Sequence, residues 1–142
     1  MPDRPEQPDP GVQLVEPVDA FDLPDWLGTE HVTWTALSGV RGARLITGRL
    51  SGVPDQDPAH ELDCDLLAAD VATPRLALPE PWRVQAHRDW EHGEVLLLSV
   101  AGRLTLVVPG TAYSADGTLE TISRLARALG VRSSRFRVDL QL

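Results

Sequence analysis

The chain has 142 residues, 42% of them hydrophobic, and a formal net charge of -8. That is room for one domain with a modest packed core. All 13 basic residues are arginine, which excludes a Schiff-base lysine, a P-loop lysine, a lysine general base and the lysine-dependent nuclease sites.

Arginine, alanine, glycine and proline share GC-rich codons, so a GC-rich bacterial genome is the expected source. The single cysteine, Cys64, excludes an internal disulfide framework. No apolar run approaches the ~20 residues of a membrane span. The opening Pro, Asp, Arg, Pro and Glu lack the basic-then-apolar layout of a signal peptide, and a cytoplasmic location is expected. Charge is uneven: residues 1–30 hold eight acids against one base.

In chain order, residues 1–20 read as a disordered, acidic, Pro-rich arm, too poor in apolar side chains to offset the entropy of ordering. Residues 21–142 read as a single α+β domain. FDLPDWLG opens it with a short turn, begun by Pro24 and ended by Gly28, that clips the arm to the body. EHVTWTALS is a strand with Val32, Trp34 and Ala36 on one face. RLITGRL, residues 44–50, pairs with it as a hairpin across Gly39 and Gly42. GVPDQDPA is a loop. ELDCDLLAA alternates Leu62, Cys64 and Leu66 against Glu61, Asp63 and Asp65, a strand with a wet acidic face.

DVATPRLALPEP is a proline-marked connection. PWRVQAHRDWEHG is a helix with Pro81 early and Gly93 as its C-terminal cap. Trp82, Ala86 and Trp90 form its buried stripe. EVLLLSV and LTLVVPG flank Ala101-Gly102-Arg103 as a hairpin, apolar enough to be central in the sheet and covered on both faces. TLETISRLARALG is a second helix, with Leu119, Ile122, Leu125, Ala126 and Leu129 on one face. Ser114 or Asp116 caps its start, Gly130 ends it, and Glu120 pairs with Arg124. FRVDLQL alternates as an edge strand, with a short helix as the alternative over residues 134–142.

The order β-β-β-α-β-β-α-β predicts a mostly antiparallel sheet of five to six strands with two main helices on one face. The first seven elements resemble in order the type III secretion chaperone fold and its relatives. That resemblance is one of element order without a shared motif, and it implies a fold rather than an activity.

Three stretches invite chemistry. HRDWEHG offers a ligand site from His87, Glu91 and His92. On a helix the two histidines stand about 140° apart around the axis, so they cannot grip one ion from the same face, whereas His87 and Glu91 can share one. HELDCD lines up three acids that suit a hard cation, but three like charges on a strand face are more often solvated. SADGTL resembles the D-x-D-G-T-L start of haloacid-dehalogenase-like phosphatases. Ser114 stands where that family has its nucleophilic Asp, and the family's lysine is missing, so helix capping is the better reading. No G-x-S-x-G elbow and no phosphate-cradling glycine loop is present. Cys64, on the apolar side of its strand, reads as an inert core thiol.

Arg124, Arg127, Arg132, Arg135 and Arg137 fall in a stretch without acids and form a candidate partner-binding surface. The acidic arm is expected to screen it until a partner arrives. The overall acidity argues against nucleic acid as that partner. The sequence therefore favours a non-enzymatic adaptor or chaperone-like module that engages a protein, with a homodimer through an edge strand also in view. The alternative is a small ligand- or metal-binding domain or enzyme built on His87, Glu91 and His92. No catalytic residue, metal site or cofactor is expected on the first reading.

Overall fold

The computed structural model describes residues 15–37, 43–52, 58–70 and 78–140. The expected glycine turn at residues 39–42, most of the GVPDQDPA loop, most of the connection before the first long helix and the first 14 residues of the arm lie outside the described residues.

The strands are β1 (Val15–Pro17), β2 (Val32–Ala36), β3 (Leu45–Ile46), β4 (Gly48–Ser51), β5 (Glu61–Ala68), β6 (Leu96–Val100), β7 (Arg103–Val108) and β8 (Phe136–Asp139). The helices are α1 (Trp26–Thr29), α2 (Glu80–Glu91) and α3 (Ala115–Ala128). All eight strands join one sheet in the order β1-β6-β7-β5-β4-β2-β8, with β3 beside β5. The chain is thus α+β, as its pattern implies.

Five of the seven strand pairs among the described residues are antiparallel, as expected of a mostly antiparallel sheet, and two details of it differ from expectation. It is mixed: β5 runs parallel to β7 and β2 parallel to β8, while the other pairs are antiparallel. It also has more strands than the five to six expected, because Val15–Pro17, at the end of the stretch read as the arm, adds an edge strand on β6, and the expected 44–50 strand is broken at Thr47 into β3 and β4.

The helices do not share a face. Alternation along β5, β6 and β7 sends Cys64, Leu66, Leu97, Leu104 and Leu106 into one core with Ile122, Leu125 and Ala126 of α3. It sends Leu67, Leu96, Leu98 and Val107 into a second core with Ala86 of α2. Burial on both sides explains why these strands read as continuous apolar runs.

Local chemistry fixes several details. Ser114 caps α3, its Oγ accepting from the Gly117 N–H at 3.0 Å, and Gly130 follows the helix at φ +78°, the left-handed conformation a C-terminal cap requires. The face α3 buries is Thr118, Thr121, Ile122, Leu125 and Ala126; Leu119, expected inside, is half exposed. Both buried threonine hydroxyls donate back to the preceding turn, to Ser114 O at 2.9 Å and Gly117 O at 2.7 Å, so neither is left unsatisfied. On α2, Arg83 and Ala86 are buried while Trp82 and Trp90 are half-buried. Trp34 packs against Gly48, where any Cβ would overlap the indole ring; the indole N–H donates to Cys64 O at 2.9 Å.

The hairpin between β6 and β7 turns on two residues, since Val100 already pairs with Arg103. Ala101 at φ 53° and Gly102 at φ 83° are both left-handed, the signature of a type I′ turn.

Candidate functional site

The second face of the sheet is only partly roofed. α2 lies over β6 and β7, and it leaves the surface of β4, β2 and β8 without a helix among the described residues. The register lines up Thr33, Thr35, Arg49, Asp63, Arg137 and Asp139 there. All of them are half-buried or exposed.

A ladder of alternating charge crosses the middle of this face. Arg103 binds Asp65 through Nε at 2.7 Å and Nη2 at 2.8 Å, and Asp63 through Nη1 at 3.1 Å. Asp63 in turn meets Arg49 at 3.5 Å. The Asp65 side chain is 8% exposed, and it also accepts the Gly48 N–H at 3.3 Å. The expected wet acidic face of β5 holds at exposed Glu61 and half-exposed Asp63 and is corrected at Asp65: alternation puts the carboxylates on one side, but Arg103 from β7 has taken up Asp65 and covers it from water. The hydrogen bond to Asp65 chiefly raises the Arg103 pKa above its ordinary range, against partial desolvation.

Beside the ladder lies a shallow groove of about 240 Å³, lined by Leu45, Leu67, Val100 and Ala101 with Thr47, Thr105, Asp65 and Arg103. Leu45 is 51% exposed. An exposed apolar side chain beside a fixed ion pair in one groove suits docking of a side chain with an apolar body.

The expected arginine surface is divided among several tasks. Arg124 lies 3.5 Å over the Trp90 ring and donates to Glu120 Oε2 and Trp90 O at 2.8 Å and to Glu94 O at 3.3 Å. Arg127 donates to Gly93 O at 2.8 Å, and Arg135 to Thr29 O. These carbonyls close α2 and α1, where a cation complements the helix dipole. Arg132 and Arg137 are exposed.

The site residues of HRDWEHG differ in exposure. His87 is half-buried on α2, while Glu91 and His92 are exposed. His92 Nδ1 lies 2.8 Å from Arg88 O, so the ring donates to the last turn of its own helix. Among the described residues, no group of three or more His, Cys, Asp or Glu is placed to hold a metal ion. Burial, reinforced by the Asp65 carboxylate, pushes the Cys64 thiol far up, and the thiol is fully enclosed, which removes its nucleophilic form.

A second polar cluster gave no signal in the sequence. His60 stacks on Trp26 at 5.5 Å between ring centroids and meets Glu30 at 2.9 Å. It fastens α1 to the start of β5. Only the fold brings these residues together, since they lie 30 positions apart.

No helix among the described residues is long and apolar enough to cross a membrane. No protein-family model matches the chain, and no curated protein or solved structure matches it at a significant level.

Proposed function

We propose that this protein is a non-enzymatic binding module, of adaptor or chaperone-like kind, that engages a protein partner at a groove on the second face of its sheet, across β3, β5, β6 and β7. One observation carries the reading: the apolar groove at Leu45, Leu67 and Val100 lies open beside the Asp65–Arg103 pair. The partner fits as a segment with one apolar side chain for the groove and polar groups over the Arg49–Asp63–Arg103 ladder. The C-terminal arginines support this reading less than expected, because Arg124, Arg127 and Arg135 already hold backbone carbonyls.

A photo-reactive amino acid at position 45, expressed in the native host, tests it. The control carries the same group at Glu120, exposed on the far side of α3. An adduct with one discrete other protein from position 45 alone, lost on Val100→Asp and unchanged by His87→Ala or His92→Ala, is the expected result. Equal labelling from both positions, an adduct of twice the chain's own mass, or no adduct overturns the reading.

A further inference from the structure

The sheet ends at β8, whose outer edge pairs with no other strand among the described residues. An edge strand presents a row of backbone donors and acceptors to any strand that can complete it. The sequence of this edge is Phe136-Arg137-Val138-Asp139-Leu140. Laid antiparallel on a copy of itself about Val138, it sets Phe136 opposite Leu140 and Arg137 opposite Asp139, with Val138 opposite itself. Each position meets its chemical complement.

The faces agree with that pairing. Phe136 is buried, and Val138 and Leu140 are partly buried against the same core. Arg137 and Asp139 point to the other side, next to the neutral Thr33 and Thr35 of β2, and both are exposed. Among the described residues neither takes part in an ion pair.

We infer that β8 is a self-pairing edge: two copies of this chain join antiparallel about a two-fold axis at Val138 and continue one sheet across both. Opposite charges directly opposed on antiparallel strands attract, and like charges repel. In this register Arg137 faces the second copy's Asp139, and the two-fold repeats the pair. The next two-folds that keep the same faces, centred on Arg137 or on Asp139, oppose like charges. A slip by one residue turns the apolar side of one copy to the wrong face. Of these registers, only the one centred on Val138 is free of conflict. A residue-centred two-fold works whichever alternate residues direct their N–H and C=O outward, because antiparallel strands offer both hydrogen-bonded and non-hydrogen-bonded opposed pairs. The pairing does not rest on the reading above, since the groove at Leu45 lies across β5 and β7.

Sedimentation velocity of the full chain over a concentration series tests the inference. Arg137→Asp alone and Asp139→Arg alone each turn two attractive pairs into two repulsive ones and weaken dimerisation by about tenfold or more. The double variant Arg137→Asp/Asp139→Arg restores the opposed charges and returns association to the starting level. Both side chains are exposed, and thermal unfolding of each variant checks that the fold is kept. A chain that stays monomeric throughout, a dimer indifferent to the single reversals, or a double variant as weak as the single ones overturns it.

Discussion

The Arg103 guanidinium grips the Asp65 carboxylate with two hydrogen bonds, Nε to Oδ2 at 2.7 Å and Nη2 to Oδ1 at 2.8 Å. The pair joins neighbouring strands that run parallel, β5 and β7, and Asp65 has almost no access to water. Removing Arg103 leaves a buried carboxylate with one weak backbone donor. Arg103→Leu is expected to cost about 2 kcal/mol, below the ~3–5 of a fully buried pair because the guanidinium is partly solvated. Replacing both residues by apolar ones recovers much of that loss. Urea titration of the two variants measures the difference.

Ala101 is the one described non-glycine residue with a positive φ. A left-handed alanine carries a steric cost of about 1 kcal/mol that asparagine largely avoids. Ala101→Asn therefore raises stability by about that amount and leaves the slope of the urea transition unchanged.

Arg124 ties α3 to the end of α2 through two carbonyls and the Trp90 ring. Arg124→Ala is expected to cost about 2 kcal/mol, from the lost hydrogen bonds and the lost stacking together. Arg124→Lys recovers less than half of it, because an ammonium lacks the planar fork. Arg132→Ala, on an exposed side chain, changes stability by less than about 0.5 kcal/mol. Equal effects at 124 and 132, read by thermal unfolding, contradict the clamp.

Burial raises the pKa of Cys64 first of all, and burial likewise raises that of Tyr113. In the unfolded chain both groups lose their protons at ordinary alkaline pH, while the folded chain still holds them. The unfolded state then binds fewer protons, so stability falls as pH rises, beginning at about pH 9. Cys64→Ala is expected to flatten the first part of that fall, apart from its own uniform cost. Unfolding midpoints taken across the alkaline range show whether the slope changes.

Much of the fold was legible because its signals are local. Pro81 and Gly93 bracket α2, Ser114 and Gly130 bracket α3, and Ala101-Gly102 marks the β6–β7 turn. The parallel pairs gave no such signal, for nothing in ELDCDLLA states that its neighbour is RLTLVV rather than a hairpin partner. The Asp65 role was hidden for the same reason: alternation names the face of a side chain, not what stands on the next strand. Arg124 and Arg127 read as surface charge because their acceptors are carbonyls 34 residues away, and every residue carries a carbonyl. The phase of α3 went astray at Leu119, where Thr118 and Thr121 take the inner positions by bonding back along the helix.

The pairing of β2 with β8 matches Val32 to Phe136, residues about 100 positions apart in the chain. The hairpin of β2 with β4 can form early, since only residues 37–47 separate the two strands, but the other side of β2 has to wait for a distant partner. Until then Val-Thr-Trp-Thr-Ala, a strand rich in β-branched and aromatic side chains, stands in a partly folded chain with a bare edge. Such an edge is what promotes misassociation during refolding. The kinetic risk of this fold is thus concentrated at β2, and the arrival of β8 is the step that ends it.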